Sequence, residues 1–133
     1  MRKDDIMKDV HKLVCSKMMV DYSKTFSTSR KSEYVLARQV TMSLLKKHFD
    51  FTYESIGDFF NQHFGIAMRA KKVIANMYFT DSNFMSKYDD IEVKIISKSE
   101  SIKKDFKKEL KDMIKEYVNS EKHQEISDLI DIL

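Results

Sequence analysis

Proline is absent from the 133-residue chain, glycine occurs twice, cysteine once and tryptophan never. Tight β-hairpins rely on turn chemistry that Gly57 and Gly65 alone cannot provide, so the expected fold is all-α. Two glycines are also too few for a P-loop or a dinucleotide-binding fingerprint, which excludes a nucleotide-driven motor. Cys15, being alone, forms no intrachain disulfide and no cysteine-based zinc knuckle; a reducing, cytoplasmic setting is the expectation. After the charged start Met1-Arg2-Lys3-Asp4-Asp5, charges continue through the first turns, and no apolar run is long enough for a signal peptide or a membrane span.

What remains suits one compact domain: 42% hydrophobic residues, nine Phe and six Tyr can fill a core, and 34% charged residues can clothe it. The net charge of +3 is unevenly spread. Residues 1–22 hold five Lys/Arg and four Asp, residues 23–79 hold nine Lys/Arg and four Asp/Glu, and residues 80–133 hold ten Lys and thirteen Asp/Glu. The middle of the chain is therefore basic, at +5, and its C-terminal part acidic, at −3.

Periodicity orders the helices. Ile6, Val10, Leu13, Val14 and Met18 predict a first helix over 3–22, and the Ser/Thr-rich stretch 23–29 a loop. Ser29 or Ser32 is placed to cap a second helix reaching about Phe49, with Val35, Leu36, Val40, Met42, Leu44 and Leu45 as its stripe. Thr52 should cap a short helix over 53–60 that turns Ile56, Phe59 and Phe60 inward. A longer helix is expected from Gln62 or His63 to Tyr78, with Ile66, Ala70, Val73, Ile74 and Met77 on its inner side. Beyond a cap at 80–83, Phe84, Tyr88, Ile91 and Ile95 favour helix over the competing strand alternation Ile91, Val93, Ile95. The tail continues with Ile102, Phe106, Leu110, Met113, Tyr117 and Val118, and a last apolar group, Ile126, Leu129, Ile130 and Leu133, predicts a short terminal helix.

A short helix, a turn and a longer basic helix over 52–78 form the pattern of a helix-turn-helix. Around it stand Ala37-Arg38-Gln39-Val40-Thr41-Met42-Ser43-Leu44-Leu45-Lys46-Lys47 and Phe51-Thr52-Tyr53-Glu54-Ser55-Ile56-Gly57, then Phe60. These blocks resemble the C-terminal DNA-binding domain of the bacterial replication initiator DnaA, with its Ala-Arg-Gln-Val-Ala-Met-x-Leu and Ser-Leu-x-x-Ile-Gly-x-x-Phe motifs. The resemblance covers residues 30–96, and leaves 1–29 as an N-terminal helix and loop and 97–133 as a helical extension. It implies double-stranded DNA as partner, with Arg30, beside Lys31, in a minor-groove arm, Arg38, Gln39 and Lys46 on phosphates, and Thr52 and Tyr53 against the backbone at the start of the supporting helix.

The recognition helix departs from that family. Where the family has Arg-Asp-His-Thr-Thr-Val, this chain has Gln62-His63-Phe64-Gly65-Ile66-Ala67 after a one-residue deletion. Gln62 and His63 remain candidate donors to base edges, Phe64 fits a thymine methyl, and Arg69 adds a cation further along. The family's target sequence does not carry over. The initiator's ATPase domain has no counterpart, so a stand-alone relative, encoded by a phage or other mobile element, is the expectation.

Duller readings stand beside these. Arg38 can pair with Glu33 or Asp58 on the surface, and Lys46-Lys47 can complement a helix dipole. His11, His48, His63 and His123 lack ligand spacing, and no carboxylate pair or Ser/His/Asp set stands out, so no metal, cofactor or catalytic activity is expected. Cys15 lies beside an apolar stripe and reads as buried. The rival to DNA binding is a helical protein-interaction module, and the C-terminal stripes must be covered either by folding back on the first helix or, as the preferred reading, by a homodimer through the C-terminal helices.

Overall fold

In the computed structural model, which describes residues 2–27 and 29–121, five α-helices and one 3-10 turn follow in order. They are α1 (Lys3–Met18), the 3-10 turn (Ser23–Phe26), α2 (Ser32–Phe49), α3 (Tyr53–Phe59), α4 (Phe64–Thr80) and α5 (Ser82–Glu121). Among the described residues there is no strand, and the all-α expectation holds. The chain divides into two compact units, Met1–Ile96 and Ser97–Leu133.

The first unit is organised around α2. Tyr34, Ala37, Arg38, Val40, Thr41, Met42, Ser43, Leu44 and Leu45 are all buried, so this helix is covered on nearly every side. α1, α3 and α4 each pack on it. From α1 come Ile6, Met7, Val10, Val14 and Cys15, from α3 Ile56, with Phe60 just beyond its end, and from α4 Ala67, Ala70 and Ile74. Each fully buried aliphatic side chain contributes on the order of 2 kcal/mol. The N-terminal helix, which sequence reading set apart at residue 29, thus belongs to the same compact unit: it brings a full apolar face to α2.

Local chemistry sets the helix ends. α1 stops at Met18, four residues short of expectation, because Met19 turns left-handed at φ 59° and the Val20 N–H donates to the Cys15 carbonyl at 2.9 Å. α2 begins at Ser32 after Lys31, and neither Ser29 nor Ser32 caps it; the Ser29 hydroxyl instead accepts from the Lys31 N–H. Asp50, at φ 53°, ends α2. Asp81 opens α5 by accepting the Phe84 N–H at 3.1 Å.

The competing strand signal over 91–95 resolves as helix, with Ile91 and Ile95 buried one turn apart and Val93 exposed. In the first unit α5 is tied by Glu92, which accepts from Lys47 at 2.7 Å and bonds His48 at 2.9 Å, and by Asp89, which accepts the Tyr78 hydroxyl at 2.9 Å. In the second unit α5 continues to Glu121, with Phe106 and Met113 exposed. The terminal helix expected from Ile126, Leu129, Ile130 and Leu133 lies outside the described residues.

Candidate nucleic-acid interface

Thr52 caps α3 as its sequence context predicts: its hydroxyl oxygen accepts the Ser55 N–H at 3.1 Å. α3 and α4 are then joined by a tight turn. Asn61 takes the left-handed conformation at φ 54°, and the Phe60 and Gln62 N–H groups both donate to the Gly57 carbonyl, at 3.0 and 2.9 Å. Gly57 is required here for space: a Cβ at this position would sit 2.6 Å from the Gln62 carbonyl oxygen and 3.3 Å from the backbone of residues 63 and 64. Short helix, close turn and second helix together make the helix-turn-helix that spacing predicted.

α4 has two unlike faces. Ala67, Ala70 and Ile74, at spacings of three and four, are buried. Ile66, expected to face inward with them, is exposed, because small alanines rather than Ile66 let α4 approach its neighbours; Val73 and Met77 are half-buried. Phe64, Met68, Lys72, Ala75 and Phe79, at spacings of four, four, three and four, are all exposed. Arg69 and Lys71 are exposed as well, and α4 carries no acidic residue at all.

At the head of α4 the expected base readers are partly committed. His63 is exposed and caps the helix, its Nδ1 accepting the Gly65 N–H at 3.0 Å, which leaves the proton on Nε2. Its ring lies 4.3 Å from that of Phe64, centroid to centroid. Gln62 is half-buried, and its Oε1 is buried with no hydrogen bond.

The loop before α2 is held from within. Arg38 is buried, and its two terminal guanidinium nitrogens donate to the carbonyls of Thr25 at 2.8 Å and Ser29 at 3.1 Å. Neither the phosphate role nor the surface pairing with Glu33 or Asp58 describes this geometry. Arg38 sits on the covered face of α2 with Tyr34, Thr41 and Leu45, three and four residues apart, and the loop closes over it. Loss of solvation lowers its pKa.

Beside it, His11 is fully buried between two threonines, with Nδ1 2.6 Å from the Thr41 hydroxyl and Nε2 2.6 Å from that of Thr25. The Thr25 hydroxyl donates its one proton to the Tyr22 carbonyl at 2.6 Å, so it accepts from Nε2–H, and Nδ1 accepts from Thr41. Both nitrogens of a neutral imidazole are thereby satisfied. Burial, and secondarily the Arg38 charge, push its pKa down to about 4. The rings of Tyr22, Phe26 and Phe60 surround it at 4.8 to 5.3 Å between centroids. Cys15 Sγ lies 3.6 Å from Nε2, and burial raises the thiol to about 11, so no thiolate nucleophile exists there at neutral pH.

His11 was not among the expected site residues, although its place in the run Met7, Val10, His11, Val14 marks the inner face of α1. This clasp, formed by Arg38 and His11 on the loop, leaves Arg30 and Lys31 exposed, with the Lys31 ammonium 6.0 Å from the Tyr34 ring.

A second group forms where α2 ends and α3 begins. The Lys46 ammonium stands 4.7 Å over the Tyr53 ring and 3.4 Å from Asp50, the latter an exposed pair of small energetic weight. Lys3, not singled out from sequence, donates to the Ser55 hydroxyl at 2.8 Å next to the exposed Thr52. Gln39 is half-buried on α2. Among the described residues no cluster of three or more His, Cys, Asp or Glu could hold a metal ion, and no helix is long and apolar enough to cross a membrane.

Comparison with known proteins places this geometry. The profile of the bacterial dnaA protein helix-turn-helix matches residues 7–74, from the first turns of α1 into α4. The matched stretch thus takes in α1, which the resemblance read from sequence had left out. The chain is similar to the chromosomal replication initiator protein DnaA of Bacteroides thetaiotaomicron, at 33% identity over 85 residues, and to that of Bacteroides fragilis, at 35% over 85 residues. Each alignment covers 63% of this chain and 18% of the relative, so the chain matches under a fifth of either relative's length. No solved structure matches. With half of its length matched, its tight α3–α4 turn and its all-helical core, the chain belongs to the bacterial dnaA protein helix-turn-helix family.

Proposed function

We propose that the chain binds double-stranded DNA without catalysis, in replication or transcription control, with α4 entering the major groove. The observation that carries this reading is a helix-turn-helix of the DnaA type whose second helix bears Arg69, Lys71 and Lys72 and no acidic residue. A polyanion is the partner that such a helix attracts. Arg30 and Lys31 reach the duplex from the loop, Lys46, Thr52, Tyr53 and Gln39 meet phosphates beside α3, and along α4 Gln62 and His63 face base edges while Arg69 adds a cation. Arg38 contributes by holding the loop rather than by touching DNA.

Titration of a fluorescent duplex at low and moderate salt tests this directly. Each phosphate neutralised releases about 0.9 counterions, so contacts by Arg30, Lys31, Lys46 and Arg69 give a log–log salt slope of about −4. Arg30→Ala and Arg69→Ala should each reduce that slope by about 1. Absence of any shift at low salt overturns the reading. Because the base-reading run is replaced, site selection should not return the boxes bound by the family's initiators.

A homodimer through the C-terminal part of α5 is a second element of the proposal. Phe106 and Met113, seven residues apart and so on one helix face, are 64% and 67% exposed. Light scattering on the full chain at micromolar concentration should report a dimer that Phe106→Glu with Met113→Glu converts to monomer. A wild-type monomer refutes it.

A further inference from the structure

We propose that Phe64 and Met68 read thymine 5-methyl groups in the major groove, so that this chain selects DNA by apolar contact where its polar base readers are few. The inference deepens the DNA-binding reading and rests on it. Over the first two turns of α4 the polar candidates are reduced: the Gln62 Oε1 is buried, and the His63 Nδ1 is engaged in capping, which leaves that ring its Nε2–H. What those turns hold out instead are Phe64 and Met68, one turn apart, 42% and 44% exposed, away from the buried Ala67, Ala70 and Ile74.

An apolar pair on a helix face has more than one conceivable occupant, and charge decides between them. Arg69 follows Met68 directly, Lys71 and Lys72 stand within the next turn, and no carboxylate lies on α4, an arrangement that favours a polyanion with apolar groups over an apolar protein surface. In the major groove of DNA the thymine methyl is the one apolar group that a base pair presents. A phenyl ring braced on His63 offers a flat, rigid surface to it, and the unbranched Met68 side chain adapts to its neighbour on the next step.

Uracil supplies the test, because it keeps every hydrogen-bonding atom of thymine and lacks the methyl. The full chain is titrated by fluorescence anisotropy against two A·T-rich duplexes of identical sequence, one with thymine and one with uracil throughout. Each methyl covered is worth about fourfold in Kd, so two contacts weaken binding to the uracil duplex by about tenfold or more. Phe64→Ser with Met68→Ser, both at exposed positions, should leave the thermal melt within a few degrees of the parent and bind the two duplexes alike. Equal wild-type affinity for both duplexes overturns methyl reading and leaves DNA binding standing. Discrimination that survives in the double variant also overturns it, since the effect then arises in the DNA. No binding to either duplex at low salt refutes the DNA-binding reading itself.

Discussion

Two connections in the first unit are held in opposite ways. The turn between α3 and α4 is fixed by its own backbone: Gly57 clears the space, Asn61 turns left-handed, and the bonds that close it span three to five residues. The longer connection between α1 and α2 is held by side chains from outside it, His11 reaching Thr25 across fourteen residues and Arg38 reaching the Thr25 and Ser29 carbonyls across thirteen and nine. The short turn aims a helix. The long loop keeps Arg30 and Lys31 outside while a buried polar network fixes its base, and such a network is costly wherever a member loses its partner.

The largest expected difference between the two is therefore in acid. His11 titrates at about 4 in the folded chain, against 6.5 for a free imidazole, so between these values the unfolded chain takes up the proton first. Stability is complete above about pH 6.5 and falls as pH drops toward 4, by about 3 kcal/mol in all. Urea midpoints measured from pH 7 to pH 4 should show this slope, and His11→Gln, which keeps a donor and an acceptor but does not titrate, should flatten it. An unchanged slope in that variant would mean that the loop is not held through a neutral imidazole.

Gly57→Ala strikes the other connection. The added Cβ meets a backbone oxygen at 2.6 Å, and backbone cannot rotate away as a side chain does, so a loss of about 1–3 kcal/mol is expected. Gly65→Ala sharpens the point: its Cβ meets only the His63 side chain, at 3.1 Å, and alanine is the better helix former. The first variant should lower the urea midpoint and the second should leave it equal or higher. Equal losses in both would show that close approach at Gly57 is not what shapes the turn.

The same contrast explains what could be read from the sequence. Thr52 as a cap, the helix-turn-helix spacing and the inward Ile56 and Phe60 depend on neighbours within a few residues, and local pattern carries that information. Arg38 was assigned to phosphates because the resemblance of its motif to the DnaA family implied that role; its burial depends on a loop that folds over it. A signal was present, since Tyr34, Ala37, Arg38, Thr41 and Leu45 share the 3–4 spacing of a covered face, but the apolar stripe drawn through Val35 and Leu36 passed it by, and those two are half-buried. Ile66 was drawn inward by its hydrophobicity, whereas close packing of α4 selected the smaller Ala67 and Ala70.

The smallest expected effect lies where the long loop leaves α1. Met19 is 92% exposed and left-handed at φ 59°, a conformation that costs a side-chain-bearing residue about 1 kcal/mol and that glycine adopts freely. Its side chain packs on almost nothing, so Met19→Gly removes strain without opening a cavity. Against this stands the larger entropy that glycine gives the unfolded chain, worth about 0.4–1 kcal/mol. The net should be a gain of a few tenths of a kcal/mol, seen as a slightly higher urea midpoint at pH 7. It should also be independent of the acid slope, because the Val20 N–H to Cys15 carbonyl bond that ends α1 needs neither His11 nor Arg38. If Met19→Gly instead steepened the slope, the helix end and the clasp would be coupled, and the long connection would have to be treated as one cooperative piece from Met18 to Ser32.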